Sequence, residues 1–129
     1  MTAAAPTATE SVARELVALC KAGKNLEAID SLYAPGIVSI EPRDYGEMPA
    51  RMSGIAAIRK KNESWYDSVE LNRHEVDGPY LNGEQFAVRY RFDTTNKKTG
   101  MRRQDSEIAV YTVKNGKIAE ERFFDAAES

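Results

Sequence analysis

The spacing of hydrophobic positions along the chain changes once, near Val69. Before that point, apolar residues recur at helical spacing in three segments. These segments are 10–22, 25–33 and a third that begins at Ser53 or Gly54. Gly23 ends the first predicted helix, Pro35 follows the second, and a short strand is predicted at 37–40. The first half of the chain is therefore predicted to be mainly helical.

From Val69 onward, apolar and polar residues alternate as they do in strands with one buried face. The alternation is clearest in "EQFAVRYRFDTT", which places Phe86, Val88, Tyr90 and Phe92 on one face and Arg89 and Arg91 on the other. The Asn-Gly pair in "KNGK" is a strong hairpin signal. We predict an α+β fold of order α-α-β-α-β-β-β-β, with three helices from the N-terminal half packed on a curved, mainly antiparallel sheet. Such a sheet leaves a pocket where the helices do not fill it.

Composition and charge narrow the class of protein. The 129 residues suffice for one domain, predicted at 10–129 after a disordered leader at 1–9. A net charge of −2 argues against nucleic-acid binding, and no apolar run is long enough to span a membrane. With a single cysteine, Cys20, no internal disulfide can form, and we expect a cytoplasmic protein. With a single histidine and no glycine-rich phosphate loop, we expect neither a metal site nor a cofactor.

The segment "VSIEPRDYGEMPARMSG", residues 38–54, contains the first candidate for chemistry. Its strand ends on Glu41, and Pro42 then removes a backbone donor from the ladder. The following loop is predicted to be a pocket lid with three ligand-binding residues, Tyr45, Met48 and Met52. A carboxylate desolvated beneath such a lid suits a general base at neutral pH. The alternative is a solvated acid that pairs with Arg43 or Arg51.

Two further side chains are candidates for a partner acid. Asp125 shares a face with Phe123 if the last strand keeps its alternation, but a slip of one residue would turn it to solvent. His74 titrates near neutrality, although a lone strand histidine is alternatively structural or exposed. The aromatic residues predicted to bind a ligand are Tyr33, Trp65, Tyr90, Tyr111 and Phe123. The alternative for each is a packed core side chain whose polar atom is satisfied at the rim.

Three segments carry a family resemblance: "KNLEAIDSLYAPGIVSIEP", "SGIAAIRKK" and "NGKIAEERFFD". They resemble the cystatin-like cone of the nuclear transport factor 2 (NTF2-like) superfamily, and within it ketosteroid isomerase and the SnoaL-like polyketide cyclases. The resemblance covers about residues 10–125. It implies that Glu41 occupies the position of the isomerase general base. In the cyclase branch, Asp125 and His74 are the nearest matches to the acid–base carboxylate and its imidazole neighbour.

The resemblance is incomplete at the oxyanion site. The two isomerase donors align with Val17 and Ala109, neither of which can donate a hydrogen bond from its side chain. Because loss of one such donor typically costs about 10²–10³ in rate, steroid isomerisation in its usual form is not expected. The resemblance instead implies cofactor-free isomerisation or cyclisation of an apolar carbonyl compound.

Two other functions remain open at the level of sequence. A non-catalytic binding module for a small apolar metabolite is favoured by the missing oxyanion donors. A protein-interaction domain is disfavoured by the charged residues assigned to the outer sheet face, Arg89, Arg91, Glu107 and Glu120. The "RKK" run at 59–61 is interpreted as solvated surface charge. The family resemblance also implies a homodimer through the sheet face.

Overall fold

The computed structural model describes residues 7–125, which contain three helices. The helices are α1 (Ala8–Lys21), α2 (Asn25–Leu32) and α3 (Ile55–Ser68). The Thr7 hydroxyl caps α1 by accepting a hydrogen bond from the backbone N–H of Glu10 at 3.1 Å. As a result α1 starts at Ala8, inside the predicted leader, and Thr9 is buried. The remainder of that leader, residues 1–6, lies outside the described residues.

The six strands form one sheet in the order β2-β1-β6-β5-β4-β3. Their bounds are β1 (Tyr33–Ile40), β2 (Arg51–Ser53), β3 (Val69–Asn82), β4 (Gln85–Asn96), β5 (Arg102–Lys114) and β6 (Lys117–Asp125). β1 pairs with β6 in parallel, and the other pairs are antiparallel. The sequence did not predict β2, because a strand of three residues is too short to show alternation. The predicted Gly-Pro break is a register shift within a continuous β3.

The helices cover the concave face of the sheet. Phe86, Val88 and Tyr90 are buried beneath them, whereas Arg89 and Arg91 are exposed on the convex face. Burial of each large apolar side chain contributes roughly 1.5–3 kcal/mol. The predicted face assignment of β4 and the α+β arrangement are therefore confirmed. Within the described residues, none of the helices is long and apolar enough to cross a membrane.

Candidate active site

A cavity of about 1500 Å³ lies between the helices and the concave face of the sheet. Its lining includes aromatic side chains from a helix and four strands: Tyr33, Trp65, Tyr90, Phe92, Tyr111 and Phe123. Five carboxyl groups also line it: Glu41, Asp105, Glu107, Glu121 and Asp125. The fold thus concentrates acidic groups in a cavity that is also rich in aromatic side chains, where burial and mutual repulsion both act on the protonation of these groups.

The register of the strands brings these groups together. Glu107 on β5 is the cross-strand partner of both Tyr90 on β4 and Asp125 on β6. Side chains at such positions have Cβ atoms about 4.5–5.5 Å apart and point to the same face. Tyr90, Glu107 and Asp125 therefore form a row across the cavity wall.

Glu41 forms an ion pair with Lys61 of α3. The Lys61 Nζ donates to Glu41 Oε1 at 2.9 Å and to Ser39 Oγ at 2.7 Å. It also lies 5.3 Å from the ring centroid of Phe123. The two side chains are only 12% and 15% exposed, so water screens this pair much less than an exposed one. The contact holds the Glu41 side chain in place at the end of β1.

Glu107 is in a different electrostatic environment. Burial, together with the smaller effects of the charges of Glu41, Asp125 and Glu121, raises the pKa of Glu107 to about 8, and Lys61 opposes this shift only weakly. At neutral pH the Glu107 carboxyl is therefore mainly protonated. A neutral carboxylic acid can donate a hydrogen bond or a proton, which a carboxylate cannot do.

Glu121 lies deeper, at 2% exposure, and accepts a hydrogen bond from the Tyr33 hydroxyl at 2.6 Å. Burial raises its pKa, although hydrogen bonds from Tyr33 and Ser39 and the charge of Lys61 oppose the shift. The contact joins the start of β1 to the middle of β6. It satisfies a buried polar group that would otherwise cost stability.

Two tyrosines and Cys20 form a second buried group in the cavity wall. The Tyr90 and Tyr111 hydroxyl oxygens are 2.7 Å apart, and the Cys20 Sγ is 3.8 Å from the Tyr90 hydroxyl. Burial raises the pKa of Cys20 to about 11 and the pKa values of both tyrosines well above 10. All three groups therefore keep their protons at neutral pH.

The loop after β1 contributes to the mouth of the cavity, where the lining residues Arg43, Tyr45 and Asp125 are solvent-exposed. Arg43 forms an ion pair with Asp125 and donates a hydrogen bond to the Tyr45 hydroxyl at 3.3 Å. The backbones of Tyr45 and Met48 exchange hydrogen bonds of 2.9 and 3.0 Å, which gives the loop a defined turn. Within residues 7–125, no group of three His, Cys, Asp or Glu side chains is arranged to hold a metal ion.

Comparison with known proteins assigns this architecture to a family. The family model for the SnoaL-like domain matches residues 7–125. The chain belongs to the SnoaL-like family. A solved protein of Mesorhizobium loti, named as a candidate SnoaL-like polyketide cyclase, shares 41% sequence identity. The match covers 88% of this chain and 96% of that protein, with a TM-score of 0.83.

More distant structures support the fold alone. An NTF2-like protein of Burkholderia pseudomallei has 16% identity and a TM-score of 0.76, with 94% of this chain and 92% of that chain covered. A candidate isomerase of Bacillus subtilis has 19% identity and a TM-score of 0.71, with 90% and 84% covered. These neighbours confirm the predicted NTF2-like cone. A search of curated proteins found no match.

The cavity of this SnoaL-like domain brings together most of the residues predicted from sequence. Those that line it are Tyr33, Glu41, Tyr45, Met48, Trp65, Tyr90, Tyr111, Phe123 and Asp125. Met52 lies outside the lining on β2, opposite Ser39, and His74 lies outside it on β3, opposite Phe92. The reason is that β2 and β3 are the two edge strands, whereas the sheet's share of the lining comes from the four strands between them. The catalytic and binding roles of all these residues remain predictions.

Two residues of the SnoaL-like site were assigned wrongly from sequence. Glu107 was placed on the outer face, but it shares a strand face with Ala109 and Tyr111, both of which are buried. Lys61 was interpreted as surface charge, but it falls on the inward face of α3 with Ile58 and Trp65. The alternation of β5 would have placed Glu107 on the inward face. The helical spacing of α3 would have done the same for Lys61. The alternative partners suggested for Glu41, Arg43 and Arg51, are replaced by Lys61.

Proposed function

We propose that this cavity catalyses acid–base chemistry on an apolar carbonyl compound, either an isomerisation or a cyclisation, without a cofactor. The observation that supports the proposal is a pair of carboxyl groups that line one cavity in different electrostatic environments. Glu41 is ion-paired with Lys61, and Glu107 is mainly protonated at neutral pH. Neighbouring groups whose environments separate their protonation behaviour are suited to act as base and acid.

In this mechanism Glu41 removes a proton from the carbon beside the substrate carbonyl. Only its Oε1 atom contacts Lys61, so the second oxygen is the one we assign to the substrate. Glu107 donates to the carbonyl oxygen as negative charge develops there, and the resulting enol is then reprotonated or attacks a second carbonyl group. Glu107 lies on the same strand face as Ala109, two positions away. It would therefore replace the oxyanion donors that are absent at Val17 and Ala109.

The family context agrees with this chemistry. The Mesorhizobium loti protein that shares 41% identity is named as a candidate polyketide cyclase, and cyclisation of a polyketide proceeds through an enol or enolate. The aromatic lining suits a flat apolar compound. The cavity mouth, which carries Arg43 and Asp125, would remain accessible to the polar end of such a compound.

The pH dependence of the reaction tests this proposal. Exchange of the hydrogens beside the carbonyl of apolar ketones such as 1-tetralone, followed by proton NMR in deuterated buffer, is expected to slow above about pH 8, where Glu107 loses its proton. Glu107→Gln should react about 10²-fold more slowly and lack this alkaline limb, since an amide does not titrate.

The matched control is Glu120→Gln, which changes a neighbouring strand residue on the convex face. It should retain both the rate and the limb. An alkaline limb that persists in Glu107→Gln would contradict the role of Glu107. Tight binding of the ketones without any exchange would instead support the non-catalytic binding module.

We also propose that the protein forms a homodimer through the convex face of the sheet. Ile108 and Phe124 are cross-strand partners on this face and are 45% and 48% exposed. Arg89 is the other neighbour of Ile108. An apolar pair surrounded by charged residues has the composition of an interface centre and its rim.

Size-exclusion chromatography with light scattering checks this arrangement. The wild-type protein should elute as a dimer, and Ile108→Glu should elute as a monomer, because a charge at the centre of the interface cannot be paired. Met101→Glu is the control, since Met101 is 70% exposed in the turn before β5 and lies away from the pair. A monomeric wild-type protein at high concentration would rule out the dimer.

A further inference from the structure

Cys20, Tyr90 and Tyr111 form a hydrogen-bonded chain of side chains. This chain has one more hydrogen than it has internal contacts to occupy. Each of the three groups carries one hydrogen, and the chain contains two contacts, Sγ to hydroxyl at 3.8 Å and hydroxyl to hydroxyl at 2.7 Å. Two protons occupy these contacts, and the third is left for an acceptor outside the chain. The three side chains are at most 4% exposed, and all of them line the cavity.

The chemistry of the groups determines which end carries the free proton. Sulfur is a weak donor and a weak acceptor, whereas a phenol is strong in both roles. When an acceptor is present, the favoured direction runs from the Cys20 thiol to Tyr90, from Tyr90 to Tyr111, and from Tyr111 outward. Each hydrogen bond in such a series polarises the next and strengthens the donor at its end. Because burial raises the pKa values of all three groups, none of them ionises at neutral pH.

We propose that the Tyr111 hydroxyl, supported by Tyr90 and Cys20, is a binding subsite for an oxygen acceptor of the ligand in the buried wall of the cavity. The ligand class is an apolar, mainly aromatic compound with a carbonyl oxygen at this subsite. This inference deepens the proposed function and rests on it, since a substrate whose reacting carbonyl lies at Glu107 would carry a second oxygen for Tyr111. Tyr111 and Glu107 share one face of β5, so one apolar skeleton would contact both.

The experiment compares two probes that differ only in the carbonyl group, benzophenone and diphenylmethane. Neither probe has a hydrogen on a carbon beside a carbonyl, so neither can be turned over by the proposed chemistry. Binding is measured in a Glu107→Leu background, which prevents that acid from holding the carbonyl. Trp65 is the single tryptophan of the chain and lines the cavity, so its fluorescence reports on binding.

In this background Tyr111→Phe is expected to weaken benzophenone binding about tenfold, because it leaves a buried carbonyl without a donor. Binding of diphenylmethane should change by less than about twofold, since no hydrogen bond is lost. Tyr66→Phe is the matched control, because it removes another hydroxyl of the same cavity that is outside the chain, and it should affect neither probe. Equal effects of Tyr111→Phe on both probes, or no effect on either, would overturn the subsite.

A spectroscopic measurement keeps the test decisive if Tyr111→Phe does not fold. The carbonyl stretch of benzophenone bound in the Glu107→Leu background should lie at lower frequency than in an alkane, as for a hydrogen-bonded ketone. An unshifted band, or no binding of benzophenone, would overturn the proposal. Failure of the ketone-exchange assay with a shifted carbonyl band would refute the catalytic function but leave the subsite intact.

Discussion

Substitution of Glu41 by glutamine is expected to slow hydrogen exchange beside the carbonyl of apolar ketones by about 10²–10⁴-fold. An amide cannot accept the proton that the carboxylate would remove. Its oxygen can still accept the hydrogen bond from Lys61 Nζ, so the shape of the site should be retained. Ketone binding, followed by the fluorescence of Trp65, should therefore change little while the exchange rate falls.

The matched control is Glu63→Gln, which changes a glutamate on α3 that is about half exposed and pairs with Arg59. This variant should retain the wild-type rate. Wild-type exchange in Glu41→Gln would exclude Glu41 as the base. A parallel loss of binding and exchange would show that Glu41 acts in binding rather than in proton transfer.

Substitution of Glu107 by glutamine is expected to increase the free energy of unfolding at pH 9 by on the order of 2–5 kcal/mol. The pKa of Glu107 is raised from 4.5 to about 8, mainly by burial. Below pH 4.5 the group is protonated in both states, so it carries no penalty. As pH rises toward 8 the unfolded chain loses the proton first, so wild-type stability declines across this interval. Above about pH 8, the folded protein carries the charge of an ionised Glu107 in the cavity wall.

Chemical denaturation at pH 4.5 and pH 9 checks this expectation. The difference in stability between Glu107→Gln and the wild type should be small at the lower pH and large at the higher one. Glu120→Gln should show no such change with pH, because Glu120 lies on the convex face, where it pairs with Arg122. A constant difference between Glu107→Gln and the wild type at both pH values would mean that Glu107 titrates normally.

The same burial therefore has opposite consequences for stability and for the proposed chemistry. A carboxyl group that stays protonated at neutral pH is a useful acid, but it weakens the fold as soon as it ionises. A glutamine at this position would be the more stable choice at alkaline pH. The presence of glutamate is consistent with a functional requirement for a titrating group.

The sequence was informative where one local pattern determined the structure. Alternation in β4 identified Phe86, Val88 and Tyr90 as inward-facing, and Pro42 marked the strand end that carries Glu41. The nine predicted residues that line the cavity were found in this way or through the family resemblance. In each case the relevant information lay within a few neighbouring residues.

The remaining features depend on contacts between distant segments. The pairing of Glu41 with Lys61 requires α3 to pack against β1. The protonation of Glu107 depends on charges from β6, from α3 and from the end of β1. His74 has a suitable imidazole, but its place outside the cavity follows from β3 being an edge strand. Local periodicity does not determine the order of strands in a sheet or the position of a helix on it. Sequence patterns alone therefore could not assign the partner of Glu41, the protonation of Glu107 or the position of His74.

The parallel pairing of β1 with β6 has a consequence for how the site is completed during synthesis. Tyr33 and Glu121 are 88 positions apart in the chain, yet they share a hydrogen bond, and the strand that carries Glu41 lies between β6 and the three-residue β2. Contacts of such long sequence separation form slowly, because the intervening chain must first be ordered. On the ribosome, Glu41 emerges early, but its strand lacks its longer sheet partner until β6 has been made. The proposed base is therefore among the first functional groups to be translated and among the last to be placed.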